Sequence, residues 1–288
     1  MMKATEVLTK AQVKRVRSLQ QKKFREAEGL FVAEGDKCIE ELIKGFELVH
    51  LYREGENATR VEIEQMSSLR TPQGSIGVFR MPFRGPETEN QEPITDLVVA
   101  LDGVQDPGNM GTIIRTCDWF GVRRLVCSRD TADCFNPKVV QATMGALARV
   151  RVEYVDLKEW IDASRRCGIP VIGTLLEGEN MYEVIPRLYK GRPEACSLEK
   201  ASLQDGAERL WKERREPKTK EKIVRPEGDK NREPMILVMG NEGNGLSEGV
   251  RKLATHKIRI PSYPKNAETS ESLNVAIATA VVIAYLRQ

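Results

Sequence analysis

With 288 residues, of which 40% are hydrophobic and 30% charged, the chain has material for one large domain or two ordinary ones around a true core. Its longest apolar run, Val275 to Leu286, falls short of the roughly 20 residues that cross a bilayer, and the charged N-terminus holds no apolar stretch, so neither a membrane span nor a secretory leader is expected. The net charge of +3 is uneven: residues 1–25 carry eight Lys or Arg against the single Glu6, and residues 186–233 carry fourteen basic against ten acidic residues, a distribution that suits either a polyanion such as nucleic acid or plain solvated helix faces.

In chain order, residues 3–24 read as one helix with basic residues at Lys14, Arg15, Arg17, Lys22 and Lys23. Leu30 to Gly35 reads as a short strand running into a helix from Asp36 to Lys44, Val49–Tyr52 as a second strand and Ser75–Phe79 as a third. Residues 84–95 are polar, contain proline and look like a linker. This predicts a small α/β domain over 1–84, a linker over 85–95, and a second domain over 96–288.

From Leu97 onward strands and helices alternate. Strands are expected at 97–101, 124–128, 150–155, 170–175, 236–239 and 257–260. Helices are expected at about 112–120, from Asn136-Pro137 (Asn as N-cap, Pro at the first helical position), and at 157–167 with a stop at Gly168. Each strand is continuously apolar, as in a parallel sheet covered by helices on both faces. Between Gly178 and Glu233 the pattern dissolves into charge, so an insertion with little fixed structure is expected at about 180–233, with an accessory helix near 198–211 as an option.

Six cysteines (Cys38, Cys117, Cys127, Cys134, Cys167, Cys196) form no C-x-x-C pair, and only two histidines, His50 and His256, are present. Buried, reduced thiols of a cytosolic protein are the expectation, with neither a disulfide framework nor a zinc site. The two histidines lie outside every Gly-rich loop, which argues against an imidazole-based triad. The chain also lacks G-x-x-x-x-G-K-[ST], G-x-G-x-x-G and G-x-S-x-G, which disfavours a P-loop hydrolase, a nicotinamide oxidoreductase and an α/β-hydrolase.

What remains is three apolar strands that each run into a Gly/Asn-rich bend: 101–115, 236–246, and 258–261 continuing to 272–275. Glycine, frequent in the first two bends, lets backbone approach a ligand closely, so three strand-end bends of this kind suggest loops shaped around one molecule. They offer Asn109, placed before a helix start where an anion is favoured; Arg115, about one turn into that helix; Glu242; Ser272, as an N-cap; and Asn274, a polar residue on an otherwise apolar helix.

Asn109-x-Gly111 with Arg115, then Gly240-Asn-Glu-Gly-Asn-Gly245, then Ile260-Pro261 followed by Ser272-Leu-Asn-Val275, resemble in order the three motifs of the SpoU/TrmH family, RNA ribose 2′-O-methyltransferases of the SPOUT superfamily. The match covers residues 95–288 apart from the insertion, and the first domain resembles the small α/β substrate-binding domain that often precedes the catalytic one. The insertion, and the segment 264–271, are longer than the family usually has. The resemblance implies a C-terminal trefoil knot, which periodicity cannot show, and a cytoplasmic homodimer that methylates structured RNA, ribosomal RNA before transfer RNA. It implies S-adenosylmethionine held by Thr174, Leu175, Gly240, Asn241, Gly245, Ile260 and Leu273, without a metal. It makes Arg115, Asn109, Glu242, Ser272 and Asn274 the catalytic set, and Lys14, Arg15, Arg17, Lys22 and Lys23 the RNA-binding set. Family models give Arg115 the role of base. A guanidinium with a pKa above about 12 rarely loses a proton, so clamping a phosphate and the developing oxyanion suits it better. A ribosome-associated RNA-binding protein without catalysis is the alternative.

Overall fold

The computed structural model describes residues 8–82, 94–190, 234–264 and 272–288. The basic N-terminal segment forms two helices, α1 (Lys10–Ser18) and α2 (Lys22–Glu28), in place of the single helix expected over 3–24, of which 3–7 lie outside the described residues. The break is built by Arg25: its guanidinium, buried to 2% exposure, donates to the carbonyls of Leu19 and Gln20 at 2.9 and 2.8 Å. Those carbonyls are freed where α1 ends, and a buried cation satisfies them better than water could.

Next come β1 (Leu30–Glu34), α3 (Asp36–Leu42), β2 (Leu48–Arg53), α4 (Arg60–Met66) and β3 (Ser75–Arg80). The strands form an antiparallel sheet in the order β1-β3-β2. Helix α4 was not expected, although Thr59-x-x-Glu62 spells a capping box: Thr59 accepts from the Glu62 amide, and Glu62 from the Thr59 amide at 2.7 Å. Residues 83–93, most of the expected linker, lie outside the described residues.

The second unit contains β4 (Leu97–Asp102), α5 (Pro107–Trp119), β5 (Arg124–Ser128), α6 (Pro137–Thr143), β6 (Arg151–Val155), α7 (Leu157–Arg166), β7 (Val171–Asn180), α8 (Met181–Lys190), β8 (Met235–Gly240), α9 (Glu248–Leu253), β9 (His256–Arg259) and α10 (Val275–Leu286). Six parallel strands form one sheet in the order β6-β5-β4-β8-β7-β9. Alternate strand residues face opposite ways, and both sets are buried. Val99, Leu101, Leu237 and Met239 join a core with α5, α6 and α10, while Val98, Ala100, Ile236 and Val238 join another with α7 and α9. The α/β class with a doubly covered parallel sheet is therefore as expected.

Two expectations shift. The insertion starts later than anticipated, because Glu179 and Asn180 pair with Ile258 and Arg259 and the next ten residues form α8, with Met181, Val184 and Ile185 buried. Residues 191–233, including the optional helix near 198–211 and Cys196, lie outside the described residues, as do 265–271. The thiols also divide. Cys38, Cys117, Cys127 and Cys134 are buried, with burial pushing Cys38 to about 11 and Cys117 to about 12, but Cys167 is exposed just after α7.

Candidate active site

The strand order reverses between β4 and β8: the chain leaves β4 toward β5 and leaves β8 toward β9. In open parallel sheets such a point opens a crevice at the carboxyl ends of the strands. Here it is flanked by the bend after Asp102 and the loop after Gly240. Asp106 caps α5, its Oδ1 accepting the Asn109 amide at 2.8 Å, and Pro107 occupies the first helical position. Asn109 thus sits inside the first turn, not ahead of the helix, and Arg115 is more than two turns from the start, not about one.

The three bends meet. Asn109 Nδ2 donates to Glu242 Oε1 at 2.7 Å, and Asn274 Nδ2 donates to Asn109 Oδ1 at 2.9 Å. Residues separated by 133 and 165 positions form one polar relay. The N-cap of α10 is Asn274, not Ser272: its Oδ1 accepts the amides of Ala276 and Ile277 at 2.9 and 3.3 Å. Its polarity on an apolar helix is explained by these two duties, capping and holding Asn109. Ser272 lines the adjoining cleft. Arg115 is exposed on α5 and has no hydrogen-bond or ion-pair partner among the described residues.

The cleft measures about 670 Å³, the size of a small-molecule site. It gathers Thr174, Leu175, Gly240, Asn241, Gly245, Ile260 and Leu273, the seven expected cofactor contacts, together with Glu242 and Ser272. Asn109, Arg115 and Asn274 do not line it, and none of Lys14, Arg15, Arg17, Lys22 and Lys23 does. Those five lie on α1 and α2, where Arg15 pairs with Glu28 and Lys22 with Glu26, and Lys23 stands 4.8 Å from the Phe24 ring centre.

Two backbone devices shape the cleft. A side chain at Gly240 would place its Cβ 2.3 Å from the Gly245 carbonyl carbon, so only glycine lets the 240–245 loop close, sealed by paired bonds of 2.9 Å between Asn241 and Gly245. On the far wall β7 leaves its ladder with β9 after Thr174 and rejoins at Glu179, so Ile258 is paired by both residues. Of the extruded residues, Leu175, Leu176 and Glu177 line the cleft, and Glu177 pairs with Arg251 of α9. Leu176, Glu177 and Arg251 were missed in the sequence, where a bulge inside an apolar strand leaves no local sign except Gly178.

These walls suit a nucleoside with a cationic centre. Leu175, Ile258, Ile260 and Val275 supply apolar surface, and Glu242 is a carboxylate whose orientation Asn109 sets.

Comparison with known proteins agrees with this geometry. The model of the SpoU rRNA Methylase family matches residues 96–284, and that of the MRM3-like substrate binding domain matches 10–70. The 23S rRNA (guanosine(2553)-2′-O)-methyltransferase RlmP of Bacillus subtilis is 26% identical over 301 residues, spanning 99% of this chain and 100% of the relative. Among solved structures, a TrmH-family protein from Porphyromonas gingivalis superposes with a TM-score of 0.72 at 32% identity, covering 97% of this chain and 98% of that one. The AdoMet-bound rRNA methyltransferase from Sinorhizobium meliloti gives 0.69 at 26%, covering 97% and 95%.

Proposed function

Since the chain belongs to the SpoU rRNA methylase family, we propose that it transfers a methyl group from S-adenosylmethionine to a ribose 2′-hydroxyl of structured RNA, ribosomal RNA before transfer RNA, in the cytoplasm. The observation that carries this is the meeting of the three bends: one relay, Asn274 to Asn109 to Glu242, stands against a cleft of cofactor size. RlmP, similar over nearly its whole length, acts on ribosomal RNA by its name, which supports the choice of target.

S-adenosylmethionine, when bound, supplies a methyl already activated by the adjoining sulfonium charge. Thr174, Leu175, Gly240, Asn241, Gly245, Ile260 and Leu273 hold it and keep water out. Glu242, fixed by Asn109, accepts a hydrogen bond from the incoming hydroxyl and would take its proton as the oxygen gains the methyl, with Ser272 and Asn274 completing the polar frame. Arg115, with no partner among the described residues, grips an RNA phosphate and steadies negative charge as it develops on the 2′-oxygen. The five cations on α1 and α2 grip phosphates of the folded RNA.

The reading includes a homodimer and a knotted C-terminus. Helix α10 is apolar nearly all round, yet Leu273 and Ile277 are about half exposed, and Trp119 on the neighbouring α5 is 84% exposed. A helix of that composition calls for cover on each side, and a second copy would supply it.

The test is calorimetry with S-adenosylmethionine followed by transfer of labelled methyl to ribosomal RNA, with Arg115→Ala in parallel. The parent should bind and transfer. The variant should bind the cofactor about as well and lose roughly 100-fold or more in rate. A parent that binds no S-adenosylmethionine defeats the assignment, and an active variant removes Arg115 from the catalytic set.

A further inference from the structure

Beneath the cleft a second polar network joins the first two bends, and most of it lies outside the motifs. Gly103, the residue just after β4, is held through the two peptide groups that flank its Cα. Its carbonyl accepts Asn241 Nδ2 at 2.7 Å, and its N–H donates to Ser128 Oγ at 2.9 Å. Ser128 ends β5, is buried and does not line the cleft. Its hydroxyl donates in turn to Asp130 Oδ1 at 2.5 Å, and the Thr131 hydroxyl has one proton to give either to Ser128 Oγ at 2.9 Å or to the Leu101 carbonyl at 3.2 Å.

The side chain of Asn241 is largely consumed by the protein. Its oxygen accepts the amides of Gly243 and Asn244 at 2.9 and 3.1 Å, while its nitrogen serves Gly103. An amide oxygen has two lone pairs, so both are taken, and what Asn241 can still offer the cleft is chiefly backbone. One residue before Gly103, Asp102 Oδ2 accepts the Ser247 amide at 2.7 Å. The 240–247 loop is therefore tied to the β4 end near both of its termini, and Glu242 stands between the ties.

We infer that Ser128 and Asn241 are positioning residues that act through Gly103, one on the peptide group before its Cα and one on the peptide group after it: together they set the distance between the β4 bend and the 240–247 loop, and so hold Glu242 against Asn109. Neither needs to touch the reacting atoms through its side chain. Removing the Ser128 hydroxyl frees the peptide group before Gly103, and rotation about the Gly103 Cα then lets the carbonyl of the following peptide group drift from Asn241. The inference deepens the methyl-transfer reading and rests on it for the kinetic part of its test.

Ser128→Ala, Asn241→Ala and the double variant separate this role from direct cofactor contact. Asn241→Asp serves as the near-isosteric control that keeps the acceptor for Gly243 and Asn244 but loses the donor to Gly103. Losing one such tie should raise the dissociation constant and KM for S-adenosylmethionine about tenfold in each single variant, with RNA affinity unchanged. The double variant should be little worse than Asn241→Ala, because both substitutions release the same residue, Gly103, and so are not independent. The peptide covering 240–246 should exchange amide hydrogens faster in every variant. A Ser128→Ala protein with parental cofactor affinity and parental exchange overturns the inference. So does an Asn241→Asp protein that exchanges like the parent. If the parent itself binds no S-adenosylmethionine, the functional reading fails by itself, and exchange alone decides the role of Ser128 and Asn241.

Discussion

Arg25 and Asp133, 108 positions apart, meet at 2.6 Å where the first unit packs on the second. Arg25 is buried, and its charge is balanced by one carboxylate and two carbonyls. Taking away Asp133 leaves a cation without its counter-charge in a dry place, which costs far more than an exposed pair would. Asp133→Ala should lower unfolding free energy by about 3 kcal/mol in a urea titration; a loss under about 1 kcal/mol would show that water reaches Arg25. This residue shows a limit of sequence reading. Arg25 stands in a run of eight basic residues, and nothing local distinguishes the one that turns inward from those that face solvent. Asn109, Glu242 and Asn274 were legible for the opposite reason: the first two sit in short Gly/Asn patterns and the third in Ser272-Leu-Asn-Val275, and the order of the three along the chain is itself informative. Their mutual hydrogen bonds were not, since a helix start misplaced by a few residues turns Asn109 to another side.

Among the elements, β7 shapes the cleft most directly. Its excursion ends at Gly178, one residue before the ladder resumes at Glu179, and a Cβ on Gly178 would lie 2.4 Å from the Ile258 carbonyl carbon and 2.9 Å from the Arg259 nitrogen. Those are backbone atoms of a paired strand and cannot step aside cheaply. Gly178→Ala should therefore push the 175–178 wall away from β9, costing about 1–3 kcal/mol in stability and at least roughly tenfold in cofactor affinity. Parallel melting and calorimetry measure both, and an alanine variant with parental affinity would mean that the wall plays no part in binding. The strands themselves were readable because burial on both faces demands continuous apolar runs. Helix α8 was overlooked because Pro186 and flanking charges break its pattern, although Met181, Val184, Ile185 and Leu188 keep helical spacing. The three-residue capping-box spacing of α4 was also there to be read.

At the scale of the molecule, one hydrophobic core runs through both units: Phe31, Ile39, Leu42 and Phe79 from the first pack with Phe135, Val139, Val140 and Leu147 from the second. Phe31 and Phe135 have ring centres 4.8 Å apart, and Arg149 joins Glu41 to Asp118 across the rim. The two-part division of the sequence marks where the pattern changes, and it gave no sign that the parts would share a core, since contacts between distant segments leave no periodicity. The proposed homodimer belongs to this scale too. Ile277 is about half exposed in the first turn of α10, where an acidic side chain suits the helix dipole and should leave folding intact. Light scattering should give twice the mass of one chain for the parent and a single-chain mass for Ile277→Asp; a parent of single-chain mass would end the dimer proposal. The common core has a last consequence, for the choice of RNA. On the proposed RNA-binding role of α1 and α2, the core shared by the described residues of both units holds those cations and the crevice at one spacing, so that the protein would work as a set calliper. An RNA whose stem is lengthened by one base pair between grip and target would present the wrong face of its helix and be passed over.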